Sequence, residues 1–138
     1  MSMSIRFVIV DNDPVNNLLC SLTIRDVARE AEIQTFDFPV KAFEHIATTH
    51  LNTDDVTVLL LDINMPVWSG WDFLDNFEML DEKIKSQIKI YIISSSIDTT
   101  DKHRARENKN VIDYIEKPLS EKTVSSMLEQ KWTQTLQV

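Results

Sequence analysis

The sequence predicts an α/β fold in which one parallel sheet is covered by helices on both faces. Three observations predict it. Apolar runs alternate with helical patterns five times along the chain. The first run, Ile5 to Val10, is continuous and β-branched, as expected of a strand buried on both faces. Polar residues then stand where four of the runs end: Asp11-Asn12-Asp13 after Ile5 to Val10, Asp62 after Val56 to Leu61, Ser94 after Ile88 to Ile93, and Lys117-Pro118 after Val111 to Glu116. Parallel strands would gather these residues at one carboxyl edge, where open α/β sheets place their ligand sites.

Each element follows in order. Ile5 to Val10 is the first strand, and it should be central. Pro14 opens a helix at a position where a missing N–H costs nothing, and Leu18, Leu19, Leu22, Val27 and Ala28 recur at helical spacing up to about Arg29. Glu32 to Phe38 reads as strand two. Pro39 starts a second helix with Ala42, Phe43 and Ile46, ending near Thr49 before a polar loop over Asn52 to Asp55. Strand three is Val56 to Leu61. Ser69 to Leu80 forms the third helix with Phe73, Leu74 and Phe77 on one face, and the charged stretch Asp81 to Gln87 reads as a solvated linker. Strand four, Ile88 to Ile93, leads through Ser-Ser-Ser into a highly charged helix around Thr100 to Asn108, whose few apolar residues predict loose packing. Strand five is Val111 to Glu116. Leu119, Val124, Met127, Leu128 and Trp132 line a fifth, last helix.

Composition narrows the function. The 138 residues, 43% hydrophobic, fit a single domain with a sizeable core. A net charge of -8 and a pI near 4.8 oppose binding to nucleic acid, and no run of Lys and Arg offsets them. No apolar stretch reaches the roughly 18 residues of a membrane span, and Met1 to Arg6 lacks the character of a signal peptide, so the expectation is a soluble, cytoplasmic protein. The lone Cys20 excludes an internal disulfide framework or a cysteine-rich zinc site and reads as a buried thiol.

The edge also excludes several chemistries. Gly70 is the only glycine, so neither glycine-rich nucleotide loop can exist. Ser94 lacks the G-x-S-x-G elbow of a hydrolase nucleophile, and His45, His50 and His103 fall in or beside helices as surface residues. What remains is a carboxylate cluster suited to a hard divalent cation such as magnesium, which would let Asp62 approach a phosphoryl group despite like charge. Asp62 is then the candidate nucleophile, Lys117 a compact positive charge for one phosphoryl oxygen, and Ser94 a hydroxyl donor for another. Each has a plainer reading: an Asp at a strand end often only caps the next helix, and Lys-Pro often only turns the chain. Four suitable groups at four strand ends make coincidence a poor account.

V-D-N-D-P, L-L-L-D-I-N-M-P, I-I-S-S-S and Y-I-E-K-P-L together resemble the receiver domain of two-component response regulators, in order from about Ile5 to Trp132. The resemblance implies a flavodoxin-like, doubly wound five-stranded parallel sheet of order 2-1-3-4-5 with five helices. It implies one chemotaxis-regulator-like domain over about 5–134 with no output domain. It further implies phosphorylation of aspartate by a sensor histidine kinase or histidine phosphotransfer protein, with Mg2+ or Mn2+ as cofactor. By that resemblance Asp62 matches the phosphoacceptor, Asn64 the residue whose backbone carbonyl binds the metal, and Ser94 the switch hydroxyl. Lys117 matches the family lysine followed by a cis proline, Pro118, and Tyr114 the aromatic switch position. Asn64 and Ser96 match positions that tune the lifetime of the acyl phosphate. The signal would leave by protein contact on the face of helix four, strand five and helix five.

One departure matters. The family usually carries two adjacent acids at the end of strand one, and here they are Asp11 and Asn12. The metal set implied is Asp11, Asn12, Asp62 and the Asn64 carbonyl, with Asp13 a further candidate. An amide oxygen can ligate magnesium, but the lost charge should weaken binding. Trp68, after Met65-Pro66, reads either as a shield or donor contact at the site or as a packed loop aromatic, and Trp71 is as ambiguous. The rival class is a phosphorylation-independent, receiver-like interaction module whose Asn12 marks a site losing its metal. A metal-dependent phosphatase is a more distant third.

Overall fold

A computed structural model describes residues 5–48, 55–95 and 98–130. His50, Ser96, Trp132 and loop positions 52–54 lie outside the described residues. The strands are β1 (Ile5–Val10), β2 (Glu32–Phe36), β3 (Val56–Asp62), β4 (Ile88–Ser94) and β5 (Val111–Glu116). All pair in parallel, in the order β2-β1-β3-β4-β5 that the sequence led us to expect.

Alternation along the strands divides the interior in two. Phe7, Ile9, Val58, Leu60, Tyr91 and Ile93 face α1 (Pro14–Val27) and the C-terminal helix Glu121–Leu128, which bring Cys20, Ile24, Val124 and Met127. Val8, Val10, Leu59, Leu61, Ile90 and Ile92 face the other way, against α2 (Pro39–Thr48), α3 (Gly70–Glu78) and the charged helix Thr99–Glu107. Every residue of β3 is buried, which is why it reads as an unbroken apolar run. No helix among the described residues is long and apolar enough to cross a membrane.

Among the described residues there are six helices, not five. The stretch expected to be a solvated linker contains α4 (Glu82–Lys85), so the charged helix is α5 and the last is α6. Asp81 caps α4 by accepting the Lys83 N–H at 3.2 Å. A helix of one turn is too short to show periodicity. The apolar face expected of α1 is also corrected. Leu18, Leu19 and Leu22 are each more than half exposed, while Asn17, Cys20 and Ile24 are buried. The helix phase is set by Asn17, whose amide donates to the Asp11 carbonyl at 2.9 Å and the Phe36 carbonyl at 3.4 Å, stapling α1 to the ends of β1 and β2. His45 is half-buried rather than superficial, its ring 5.3 Å from that of Phe36. His103 is exposed and 2.7 Å from Glu107.

Two features place the loop that follows β3. Ser69 and Asp72 form a reciprocal capping box at the start of α3. Gly70, the chain's single glycine, donates its N–H to the Ile63 carbonyl at 3.1 Å. A Cβ there would stand 2.6 Å from the Ile63 Cα and 2.7 Å from the Asp62 carbonyl oxygen, both backbone atoms at the site edge. Gly70→Ala is therefore expected to cost about 1–3 kcal/mol through overpacking, read as a lower urea midpoint at unchanged slope.

Candidate functional site at the carboxyl edge of the sheet

The strand order puts the ends of β1, β3 and β4 side by side. Asp62 pairs with Ile93 in register, so Ser94 lies one residue further along the neighbouring strand. Lys117 follows β5, and its N–H donates to the Ser94 carbonyl at 2.8 Å, which brings the lysine back over the edge. The peptide bond between Lys117 and Pro118 is cis, in agreement with the family pattern. Asp11, Asp62 and Ser94 are all buried.

Asp11 is held by three donors. Lys117 Nζ lies 2.7 Å from its Oδ2, the Asn16 amide donates to the same oxygen at 2.7 Å, and the Asp13 N–H donates to Oδ1 at 2.9 Å. Asp62 is less well served. The Asn64 N–H donates to its Oδ1 at 3.2 Å, and Lys117 Nζ stands 3.8 Å from its Oδ2. Burial, then the charge of Asp11, push the Asp62 carboxyl up to about 6. Burial alone would push Lys117 down, but the hydrogen bond to Asp11 and the charges of Asp62 and Asp11 carry it above its ordinary value. One ammonium thus serves two buried carboxylates, and it sits closer to the one not expected to react.

That donor set fits a hard divalent cation: carboxylate oxygens from Asp11 and Asp62, an amide oxygen from Asn12, and the Asn64 carbonyl. The charge of Asp11, which adds to burial in raising Asp62, is what such an ion would neutralise. Asn12 and Asn64 are exposed beside the buried pair. Asp13 serves as the N-cap of α1, accepting the Val15 N–H at 3.0 Å. Among the described residues no group of three acidic, histidine or cysteine side chains with metal-holding geometry forms.

Tyr114 is half-buried against the core on the α2–α3–α5 face, with Lys102 Nζ 6.0 Å from its ring centre. Trp68 packs edge-on to Phe43 at 5.6 Å and near Phe73 at 6.0 Å, so much of its ring belongs to an aromatic cluster under the loop. Trp71 carries the Arg104 guanidinium 4.4 Å above its ring. Sequence reasoning missed Asn16 and Asn17, which position Asp11 from the first turn of α1. Helical spacing from Cys20 and Ile24 was the signal that could have found Asn17.

A five-stranded sheet of order 2-1-3-4-5, with paired acids, a hydroxyl and a lysine at its carboxyl edge, defines a receiver-type α/β domain. The sequence matches the family model of the response regulator receiver domain over residues 7–129, and the chain belongs to that family. No match is found among curated proteins. Among solved structures, the chain is similar to a response regulator receiver protein from Dyadobacter fermentans, at 26% identity and a TM-score of 0.82, covering 94% of this chain and 98% of that one. It is also similar to a two-component response regulator from Cytophaga hutchinsonii, at 25% identity and a TM-score of 0.79, covering 91% and 95%. The chemotaxis protein CheY4 of Vibrio cholerae shares the fold at 20% identity and a TM-score of 0.72, covering 93% and 98%.

The raised Asp62 carboxyl has a sign that can be checked. Between about pH 4 and 6 the folded state binds more protons at Asp62 than the unfolded chain does, so ionising Asp62 costs stability as pH rises through that window. Asp62→Asn should therefore raise unfolding free energy at pH 7.5 by about 1–2 kcal/mol after allowance for solvent screening. The gain should vanish below pH 4, and urea titrations at the two pH values measure it.

Proposed function

We propose that this chain is a phosphorylation-dependent switch: it accepts a phosphoryl group on Asp62 from a histidine kinase or histidine phosphotransfer protein. The observation that carries the reading is Asp62 itself, buried at the end of the central strand with one carboxylate and one ammonium beside it. In the transfer an Asp62 carboxylate oxygen bonds to phosphorus as the P–N bond of the donor phosphohistidine breaks, and the electron pair leaves with the imidazole, which takes up a proton. Phosphoryl transfer is mostly positioning and charge neutralisation. Lys117 is the fixed positive charge for one equatorial oxygen, and Ser94 the hydroxyl for another. Mg2+ or Mn2+, held by Asp11, Asn12, Asp62 and the Asn64 carbonyl, would supply further neutralisation. Asn16 keeps the Asp11 carboxylate aimed, and the role of Asp13 is to start α1.

The chain so read is a phosphoacceptor that assists its own phosphorylation and dephosphorylation, not a turnover enzyme. Asn64 governs water access to the acyl phosphate, with Ser96 assigned the same task by its position in the family pattern. Readout follows from charge. New phosphoryl oxygens draw Ser94 and Lys117 inward, and the chain after Ser94 carries Tyr114 and α5 with it. The signalling face is then α5, β5 and α6, which corresponds to the helix four, strand five and helix five of the sequence reading. Weak packing of α5, which buries only Ala105, supports a movable element there. We place the protein in the cytoplasm, where its donors reside.

Incubation with acetyl phosphate followed by intact mass tests the reading. One added phosphoryl group that requires both a divalent cation and Asp62 is the expected outcome. No addition even at high magnesium, with partner binding unchanged in Asp62→Asn, would instead favour the phosphorylation-independent module. Asn12→Asp restores a ligand charge and should lower the magnesium concentration for half-maximal labelling by roughly tenfold. An unchanged midpoint would dismiss Asn12 as the source of weak metal binding.

A further inference from the structure

Beside the buried acids lies a concavity of about 630 Å³, bounded by Asn12, by the chain from Asp37 to Lys41 entering α2, and by Pro66 to Trp68 after β3. Its lips are apolar and open to solvent: Phe38 is 65% exposed, Val40 48%, and Val67 fully so. Val67 is also the one described non-glycine residue with positive φ, at 69°. Trp68 donates its N–H to the Pro66 carbonyl at 2.7 Å, closing a γ-turn with Val67 at its centre. A β-branched residue is a poor choice for such a turn. Packing of Trp68 against Phe43 and Phe73 accounts for the turn but not for the valine, since asparagine or glycine would make it with less strain. What valine adds is an apolar side chain held out in water at the rim of the groove.

Two facts point to what covers it. The groove and the phosphorylation site share Asn12, so an occupant of one reaches the other. And the encounter that site requires gains nothing from the overall field, because a phosphoryl donor is an anion approaching a chain of net charge -8, and Lys117 acts only at short range beside the two buried carboxylates. Asp62 is only 4% exposed, so the donor group must be inserted and kept aligned. Long-range attraction cannot hold it there; apolar contact at the rim can.

We propose that this groove seats the protein phosphodonor, with an aliphatic or aromatic side chain beside its phosphohistidine lodged between Phe38 and Val67. This rests on the phosphoacceptor reading and names how a protein donor is distinguished from a small one. Acetyl phosphate bypasses the groove, whereas a protein donor depends on it.

The test compares wild type with Val67→Asn and Phe38→Ser. Both positions are exposed, and asparagine tolerates positive φ, so near-ultraviolet circular dichroism should be unchanged. Labelling is followed from acetyl phosphate and from a panel of isolated histidine phosphotransfer domains charged with phosphoramidate. Each substitution should lower the second-order rate of transfer from a charged domain by about tenfold or more, with acetyl phosphate labelling within about twofold of wild type. Equal transfer to variants and wild type overturns the proposal, as does a wild type labelled by acetyl phosphate but by no domain of the panel. A dimer in sedimentation that Val67→Asn dissociates overturns it in favour of a second copy as occupant. Failure of acetyl phosphate to label wild type strikes the phosphoacceptor reading itself, a different and separable result.

Discussion

The carboxyl edge depends on one ion pair, Lys117 with Asp11, which joins residues 106 positions apart at 2.7 Å. Asp11 is buried, and a buried carboxylate left unpaired would be costly, so the end of β5 and the start of α1 are held to one geometry. Asn16 and the Asp13 N–H complete the carboxylate, which fixes the first turn of α1; Asn17 then ties that turn to β2. Asp62 is placed against this finished arrangement, where burial first and then the charge of Asp11 push its carboxyl up.

The fold was legible because β3 and its neighbours are buried on both faces, so their sequences are continuous apolar runs with abrupt polar ends. The site was legible for the same reason: strand order turns those ends into neighbours. What the sequence concealed has physical causes. The leucines of α1 suggested an inward face, but the phase of that helix is decided by hydrogen bonds from Asn17, a polar residue doing what apolar patterning cannot report. A one-turn helix such as α4 has no period to detect. Val67 could not be recognised at all, because only backbone geometry distinguishes an exposed valine in a strained γ-turn from one in an ordinary loop.

Asn12 puts a neutral amide where the family usually carries an acid. The side chain stands where a charge is expected, exposed beside two buried acids, and Asp13 is engaged by the α1 cap. Asp11 and Asp62 are therefore the buried carboxylates left to meet a cation, and the carboxyl of the latter is raised by burial first and by the charge of Asp11 second.

The attachments of α5 are unequal at its two ends. Beyond its C-terminus, the Asn110 amide and Lys109 ammonium both reach Glu78 at the end of α3, which also receives Lys85. Those partners, the Asn110 hydrogen bond first among them, pull the Glu78 carboxyl down to about 2, so the knot is charged at neutral pH. Along its length the helix is held by solvent-screened side-chain contacts, Lys102 on Glu116 near its middle and Arg104 over Trp71 in its last turn. The ties at Glu78, together with Arg104 over Trp71, thus fasten the end of α5 that runs into β5, and on the proposed reading a displacement of the carboxyl edge would be taken up at the opposite end, where Thr99 begins the helix.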